Sequence, residues 1–312
     1  MTSHGKVAVL LSSYNGGRHI ECQIASILQQ SLGNDIRLFV RDDGSTDNTV
    51  EIVRAIADRD KRVTLLPESN VGATASFMSL LSFAKRQLRG FRFFSFSDQD
   101  DCWDSDKLEI AVGRLEAEAF SGPLLYGAAS HHVDAELRPL EPRAKRKVKP
   151  ITSFNALIQC IVPGHTYVFN RALLDALPDE FKLDSIYGHD VFLLNVALIC
   201  GKLVYDPFPH AEYRLHAQNA MGVETNMLKW FFSRLKRTRN GDSHRYGRQI
   251  RYLYNLYRDR MSSEVEREIR RFLDCQSSCL QRMNYAITTK LYRQKFLESL
   301  AFRALYLFGG YS

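Results

Sequence analysis

The feature that most constrains the fold is an alternation of apolar segments with amphipathic ones in the first third of the chain. Four segments have the composition of buried strands: residues 6–12, 36–41, 63–66 and 91–97. Apolar residues recur at helical spacing between them, as Ile20, Ile24 and Ile27 do. Because strands that alternate with helices form parallel sheets, the sequence predicts an α/β fold with a mostly parallel sheet flanked by helices.

Polar residues follow each of these four predicted strands. In chain order they are Ser13, Tyr14 and Asn15; then Asp42 and Asp43; then Asn70; and last Asp98, Asp100 and Asp101. Ligands of open α/β sheets bind beyond the carboxyl ends of the strands. The sequence therefore predicts one ligand site at this edge of the sheet.

The three aspartates after the fourth strand indicate a metal site. Three carboxylates within four residues repel one another, and a cation relieves that repulsion. Oxygen ligands favour a hard cation, so we expect Mg²⁺ or Mn²⁺, which can also bridge to a diphosphate. Which of Asp98, Asp100 and Asp101 binds the metal directly stays open. The alternative is an acidic turn that caps the following helix.

Five motifs occur in a fixed order along the chain: SSYNGG, DDGSTDNT, NVGATASF, FSDQDDCW and YGHDVFLLN. Over about residues 6–222 the chain thereby resembles the family 2 glycosyltransferases, and the wording SDQDDCW and YRLHAQNAMG is similar to their rhamnosyltransferase-like branch. The resemblance implies the GT-A (Rossmann-like) fold for a nucleotide-sugar transferase domain at residues 1–222. Residues 223–312 would be a basic helical extension.

The resemblance also implies roles on the donor side of the reaction. Nucleotide-binding positions would be Ser13, Tyr14, Asn15, Asp42, Asp43, Asn70 and Asp98, and metal-binding positions Asp98, Asp100, Asp101 and His216. A carboxylate of the Asp42-Asp43 pair would accept the imide N–H of uracil or thymine, because that group is a donor between two acceptors. The alternative for this pair is a plain turn beside Gly44. His216 is alternatively structural.

On the acceptor side, the resemblance implies that Asp190 is the catalytic base. An inverting transfer needs a base to deprotonate the acceptor hydroxyl. Asp190 is alternatively the N-cap of the helix that follows it. His189 stands where the usual family spelling has Glu, so no role for a preceding acid is carried over. Further acceptor-side positions would be Trp103, Gly164, His165 and His189.

The function expected from these motifs is an inverting, metal-dependent transfer of a sugar from a UDP- or dTDP-sugar. The sugar could be rhamnose, and the acceptor a saccharide or lipid-linked saccharide of a surface polysaccharide. One alternative is a haloacid-dehalogenase-type phosphatase, because residues 43–46 read DGST, but Arg41 occupies the position of its nucleophile. The other is a non-catalytic protein that binds nucleotide-sugar or glycan.

Charge is divided unevenly along the 312 residues. Residues 225–312 carry 18 basic and 7 acidic side chains, whereas residues 1–224 carry 24 and 28. A basic helical segment with Trp and Phe is typical of proteins that bind an anionic membrane surface. It is equally typical of a helical cap that packs on the rest of the protein or on a second subunit. No nucleic-acid-binding module accompanies the charge.

We expect a cytoplasmic protein, either dissolved or peripheral on the inner face of the membrane. The sequence offers no secretory layout at its start and no apolar run of about 20 residues. Its six cysteines form no C-x-x-C pair, so they favour reduced thiols in the cytosol.

Overall fold

The structure is a computed structural model that describes residues 7–140, 149–215 and 242–311. The chain divides into two compact units, each assembled from separated stretches of sequence. Unit 1 comprises residues 1–146, 162–181 and 201–217; unit 2 comprises residues 147–161, 182–200 and 218–312. The predicted boundary between residues 222 and 223 lies outside the described residues.

Unit 1 is built on an eight-stranded sheet. Its strands are β1 (Val7–Ser13), β2 (Ile36–Asp43), β3 (Val63–Glu68), β4 (Phe93–Ser97), β5 (Cys102–Trp103), β6 (Leu124–Val133), β7 (Val168–Asn170) and β8 (Lys202–Arg214). They lie in the order β3-β2-β1-β4-β7-β6-β8-β5. Helices α1 (Ile20–Leu28), α2 (Thr49–Arg59), α3 (Ala73–Gln87), α4 (Lys107–Glu116) and α6 (Arg171–Ala176) flank the sheet. The predicted α/β fold is confirmed.

The apolar content of β1 explains why this strand is central. All five residues from Val7 to Leu11 are fully buried, as expected for a strand covered on both faces. Ile20, Ile24 and Ile27 of α1 are also fully buried, so the stripe predicted from the sequence is the face that α1 packs against the core.

The register of the parallel strands brings the polar strand ends together. Ser13 of β1 is paired with Asp42 of β2, and Leu11 of β1 with Ser97 of β4. The next strand, β3, continues the parallel order, with Asp42 paired with Pro67. The carboxyl ends of β1, β2, β3 and β4 therefore form one edge, as the sequence predicts.

The other half of the sheet is mixed. Strand β7 runs antiparallel to both β4 and β6, β5 runs antiparallel to β8, and β6 and β8 are parallel to each other. Four strand pairings are thus parallel and three antiparallel. The sequence reading did not identify β6, although β6 and β8 form the longest pair in the sheet.

The described residues of unit 2 form helices joined by short segments. The α-helices are α5 (Ser153–Ala156), α7 (His189–Cys200), α8 (Asp242–Tyr257), α9 (Ser263–Asp274), α10 (Cys279–Thr288) and α11 (Phe296–Leu307). Aromatic rings of Phe272, Tyr285, Tyr306 and Tyr311 pack together within it. Among the described residues, no helix is both long and apolar enough to cross a membrane.

Candidate active site

The loop after β1 is fixed by hydrogen bonds to the side chain of Gln99. Tyr14 N–H donates to Gln99 Oε1 at 2.8 Å, and Gln99 Nε2 donates to Tyr14 O at 3.1 Å. These two bonds fix the Tyr14 backbone while 48% of the residue stays exposed. The Tyr14 ring is therefore accessible for stacking on a planar ligand at the strand-end edge.

Asp42 is buried and organises the loops on either side of it. Its Oδ1 accepts from the hydroxyls of Ser13 (3.1 Å) and Ser45 (2.6 Å), and its Oδ2 accepts from Ser45 N–H (2.8 Å). Ser13 is buried as well. The predicted contact of Asp42 with a base stays a prediction. The structure shows that its carboxylate joins Ser13, at the end of β1, to Ser45, in the loop after β2.

Asp43 has a similar arrangement on the β3 side. Its Oδ1 accepts from Val71 N–H (3.0 Å) and its Oδ2 from Gly72 N–H (2.9 Å), while Arg41 Nη1 lies 2.5 Å from Oδ1. Both Arg41 and Asp43 are buried. Arg41 is thus a partner of Asp43, at the position where a dehalogenase-type phosphatase needs a carboxylate nucleophile.

Asn15 and Asn70 lie at the accessible rim of the same edge. Asn15 adopts the left-handed conformation (φ 51°), and its Oδ1 accepts from Thr46 N–H at 2.8 Å. Gly44 also has a positive φ of 75°, and a Cβ there would stand 2.9 Å from Asn70 N. Gly44 is therefore required for the close approach of the Asn70 backbone.

The aspartates after β4 include a cluster able to hold a cation. One ligand atom each from Asp98, Asp101 and His165 lies within 4.8 Å of the others. Asp101 is completely buried, and among the described residues neither of its carboxylate oxygens has a hydrogen-bond donor. The same holds for His165 Nε2. Buried polar atoms without partners are rare and indicate a ligand that fills them.

Electrostatics favours a cation at this cluster. Burial, together with the charges of Asp98 and Asp100, raises the pKa of Asp101 well above its usual range. Burial and the nearby Lys107 lower the pKa of His165 to about 3, so its imidazole is neutral and has a lone pair to offer. Carboxylate oxygens and a neutral imidazole fit Mn²⁺ or Mg²⁺, Mn²⁺ accepting the nitrogen more readily.

His165 reaches the cluster because the segment before β7 is tightly packed. Its ring stacks on Tyr213 with centroids 4.9 Å apart and an interplanar angle of 4°. Its Nδ1 lies 3.8 Å from Asp101 Oδ2. The sequence placed His165 on the acceptor side; that role stays a prediction, and the structure adds its proximity to Asp98 and Asp101.

Asp100 differs from its two neighbours, because it is not in this three-residue group. Its main-chain oxygen accepts from Arg214 Nε at 2.8 Å, which ties the turn to the end of β8. The turn also lies well before α4, whose N-cap residue is Asp106. The alternative of a helix-capping acidic turn is therefore wrong.

Lys107 is a residue of the site that the sequence reading missed. It is 1% exposed, its Nζ lies 3.2 Å above the Trp103 ring, and it donates to His165 O at 3.2 Å. Burial holds its pKa well below its usual range, while the charges of Asp101 and Asp98 oppose that shift. A lysine in the first turn of an amphipathic helix gives no sequence signal of burial.

Asp190 lies in the first turn of α7 in unit 2. Its Oδ1 accepts from Val191 N–H at 2.7 Å, and its Oδ2 accepts from the Cys160 thiol at 3.0 Å. Burial lowers the pKa of the adjacent His189, so that imidazole is neutral. Asp190 is thus a partly buried carboxylate held by two donors. The N-cap alternative is wrong, because Asp190 lies inside the helix, and the base role stays a prediction.

The acceptor-side roles of Trp103 and Gly164 stay predictions, and the structure shows where these residues lie. Trp103 is buried beneath Lys107, and Gly164 is buried before His165. His216 lies outside the described residues, so its predicted metal or diphosphate contact stays a prediction.

Comparison with known proteins gives a family match over about half of the chain, in its N-terminal part. The sequence model described as Glycosyl transferase family 2 matches residues 8–172. The chain is 31% identical over 243 residues to the dTDP-rhamnosyl transferase RfbG of Shigella flexneri, covering 74% of this chain and 79% of that protein.

A second relative has a different donor in its name. The chain is 28% identical over 207 residues to the Escherichia coli UDP-Glc:alpha-D-GlcNAc-diphosphoundecaprenol beta-1,3-glucosyltransferase WfgD, covering 63% of this chain and 76% of that protein.

Two solved structures share the fold at low identity. Staphylococcus aureus TarS 1-349 with UDP-GlcNAc has a TM-score of 0.58 at 16% identity and covers 97% of this chain and 81% of that one. The mannosyltransferase PcManGT of Pyrobaculum calidifontis, with GDP-Man and Mn²⁺, has a TM-score of 0.56 at 16% identity and covers 99% and 86%. The predicted GT-A fold is confirmed.

Proposed function

The chain belongs to glycosyl transferase family 2, and we propose that it transfers a sugar from a UDP- or dTDP-sugar to a saccharide or lipid-linked saccharide of a surface polysaccharide. Rhamnose is the donor sugar we would test first, because RfbG is by name a dTDP-rhamnosyl transferase. A lipid-linked acceptor is supported by WfgD, whose name specifies a diphosphoundecaprenol.

The cluster of Asp98, Asp101 and His165 carries this proposal. A divalent cation held there would neutralise charge that develops on a leaving nucleoside diphosphate. The buried carboxylate of Asp101 has the donor-free oxygens that such a cation needs. Mg²⁺ and Mn²⁺ are the candidates, and PcManGT was solved with Mn²⁺.

The nucleotide would lie along the ends of β1, β2 and β3. The exposed ring of Tyr14 can stack on the base, and the rim residues Asn15 and Asn70 can offer side-chain hydrogen bonds. Asp42 and Asp43 would shape the base pocket through the internal bonds described above. A pyrimidine fits this arrangement if one Asp42 oxygen keeps a lone pair for the imide N–H.

The acceptor side would depend on Asp190. A carboxylate that is fixed by Val191 N–H and the Cys160 thiol has one orientation from which to take a proton. A base that acts on the face opposite the leaving group gives inversion at the anomeric carbon. Trp103, Gly164, His165 and His189 are proposed to line the acceptor side.

The metal proposal is tested by binding in the absence of turnover. In a thermal-shift titration we expect Mn²⁺ with UDP or dTDP to raise the melting temperature of the wild type, because ligand at about 100 times its Kd stabilises the native state by about 2.7 kcal/mol. Asp101→Asn should lose this shift, whereas Asp58→Asn, at an exposed aspartate of α2, should keep it. Equal shifts in both variants would contradict the metal site.

The base proposal is tested separately. Asp190→Asn should lower kcat by about 10²–10⁴-fold while donor affinity stays unchanged, as expected for a proton acceptor. The product of the wild type should show the anomeric configuration opposite to the donor by NMR. Retention of configuration would exclude Asp190 as the base of a single inverting displacement.

A cytoplasmic location belongs to the same proposal. Nucleotide-sugars would have to reach the strand-end edge, and all six cysteines are free thiols, as is usual in a reducing compartment. We propose no nucleic-acid partner, and a homo-oligomer remains a separate proposal that sedimentation velocity would test.

A further inference from the structure

Helices α10 and α11 carry apolar side chains on their solvent side. We call this set the outer face; it consists of Leu280, Met283 and Ile287 on α10, and Phe296, Leu297, Leu300 and Phe308 on and just after α11. Leu280 is 74% exposed, Ile287 69%, Phe296 71% and Phe308 83%. Side chains of this size are rarely left in water as a group, so the outer face indicates a binding surface.

Core packing does not account for these residues. The opposite sides of the same helices already supply the core of unit 2, where Tyr285 of α10 and Phe302 and Tyr306 of α11 are 1% exposed or less. Leu280, Met283 and Ile287 are spaced by three and four residues, and so form one stripe along α10. Each helix thus has one apolar side that packs in the core of unit 2 and a second apolar side that is exposed.

Two arginines join the two helices that carry the outer face. Arg282 of α10 donates to Leu307 O of α11 at 3.0 Å. Arg303 of α11 donates to Ala286 O and Ile287 O of α10, each at 2.8 Å. These bonds satisfy carbonyls at both helix ends, where hydrogen-bond partners are otherwise missing. The two helices that carry the outer face are therefore fixed to each other by hydrogen bonds.

The charge around the outer face is positive. Residues 279–308 contain five basic side chains and one acidic side chain. The acid, Glu298, is paired with Arg293, which is buried. Lys295 is exposed directly before Phe296. Apolar groups bordered by cations complement a layer of anionic headgroups over acyl chains.

We propose that the outer face docks this protein onto an anionic phospholipid surface. Helices of 10 and 12 residues are about half of the roughly 20 that a bilayer core requires, so they would lie in the interface. The inference rests on the proposed function only for its biological role, since a lipid-linked acceptor would be located in the same membrane. Membrane binding itself does not depend on the transfer reaction.

A second copy of the chain fits the outer face less well. A symmetric dimer pairs the same patch on both subunits. Both subunits would then present a surface with the same excess of positive charge to each other, which opposes association. An anionic membrane instead meets that charge with the opposite sign.

The test is co-sedimentation of the full chain with vesicles, without donor or acceptor. We expect binding to phosphatidylglycerol-containing vesicles and much weaker binding to pure phosphatidylcholine. The combined Ile287→Ser, Phe296→Ser and Phe308→Ser variant should bind anionic vesicles at least about tenfold more weakly, a difference of about 1.4 kcal/mol. Lys295→Glu should reduce binding to anionic vesicles only.

Matched controls separate this surface from general stickiness. The combined Phe120→Ser, Phe208→Ser and Leu256→Ser variant removes three exposed apolar side chains elsewhere and should bind vesicles as the wild type does. Lys61→Glu is the control for charge. Circular dichroism and melting temperature should be unchanged in every variant, because all the altered side chains are exposed.

Three results would overturn the proposal. They are no binding of the wild type to anionic vesicles, wild-type binding by the outer-face variant, and a wild-type dimer that this variant converts to a monomer. Transfer to a soluble acceptor should be equal in the wild type and the outer-face variant. Loss of transfer with vesicle binding intact would therefore count against the proposed function alone.

Discussion

Lys107 places a buried ammonium group beside the carboxylates of the candidate metal site. Burying an unpaired ammonium costs several kcal/mol, and burying an unpaired carboxylate costs a similar amount. Lys107 and Asp101 are both completely buried, and each opposes the desolvation of the other. The lysine thus offsets part of the negative charge that a divalent cation would also neutralise.

Removing this ammonium should leave the cluster with uncompensated negative charge. We expect Lys107→Met to lower the free energy of unfolding by about 1–3 kcal/mol, because the buried main-chain oxygen of His165 would lose the hydrogen bond from Lys107 Nζ. Added Mn²⁺ should raise the melting temperature of this variant more than that of the wild type, because the cation replaces the missing charge. Thermal denaturation with and without Mn²⁺ measures both effects.

The control for this substitution is Lys61→Met, since Lys61 is exposed. It should change the free energy of unfolding by no more than about 0.5 kcal/mol, as is usual at the surface. A Lys107→Met variant as stable as the control would show that the ammonium does not compensate Asp101.

Cys160 is the residue that fixes the second oxygen of Asp190. We expect Cys160→Ala to lower kcat about tenfold, equivalent to about 1.4 kcal/mol, because one hydrogen bond to a charged group is lost. Cys160→Ser should restore most of the rate, because a hydroxyl can donate in place of the thiol. Steady-state kinetics at saturating donor checks this.

An unchanged donor Kd would distinguish positioning of Asp190 from a general loss of structure. Cys279→Ala, at an exposed cysteine of the same unit, should have wild-type kcat. If Cys160→Ser were as slow as Cys160→Ala, the hydrogen bond to Asp190 would not explain the defect.

At the residue scale, the sequence identified the carboxylates but not what surrounds them. Asp98 and Asp101 stand out because their charges are close together in the chain. Lys107 and His165 are distant in sequence, and only the packing of α4 and of the segment before β7 brings them to Asp101. No local pattern records such a contact.

Among the elements, α9 is joined to α10 and the segment after it by one buried carboxylate. Glu268 Oε1 accepts from Tyr285 Oη (2.8 Å), Thr289 Oγ1 (2.6 Å) and Lys290 N (3.0 Å). Glu268 is 2% exposed. Three donors on one oxygen replace the water that this group loses on burial.

We therefore expect Glu268→Gln to lower the free energy of unfolding by about 2–4 kcal/mol. The amide oxygen is a weaker acceptor than a carboxylate, and the amide NH₂ group would be buried next to other hydrogen-bond donors. Glu264→Gln on the same helix is the matched control. Glu264 is 54% exposed and pairs with Lys290, so its loss should cost no more than about 1 kcal/mol. Urea denaturation followed by circular dichroism compares them.

Wild-type stability of Glu268→Gln would contradict the role given to Glu268. A similar loss in both would instead indicate that charge on α9 matters irrespective of burial.

At this scale, strands with continuous apolar runs were predictable and short or small-residue strands were not. β1 and β4 stand out because both their faces are buried. β6 contains Gly127, Ala128, Ala129 and Ser130, which have little β propensity, and it is stabilised by its long pairing with β8. In α11, Phe296 and Phe302 look alike in sequence, yet one is exposed and the other buried.

At the scale of the whole molecule, the division into two units determines which segments of the chain can be deleted without destabilising the rest. Unit 2 takes residues 147–161 and 182–200 from the middle of the chain and combines them with its C-terminal helices. Tyr187 stacks on Tyr246 at 3.8 Å, Gln249 accepts from Tyr187 N–H, and Arg293 donates to Ile158 O at 2.7 Å. The C-terminal helices are thus partners of earlier segments.

We expect a chain truncated after Gly222 to be poorly soluble, because α5 and α7 would lose the side chains that cover them. Sedimentation and circular dichroism of the purified fragment would check this. The full chain with the outer-face substitutions serves as the control, since it alters exposed side chains and keeps every helix. A soluble, fully active fragment would contradict the interdependence of these segments.

The interleaving of the two units also bears on how the protein is made. The ribosome releases α7, with eight of its twelve residues buried in the native state, before the C-terminal helices that complete its unit have been translated. At about 5–20 residues per second, the 107 residues from Gly201 to the end of α11 at Leu307 take roughly 5–20 s. Throughout that interval α7 lacks the C-terminal helices that complete its unit.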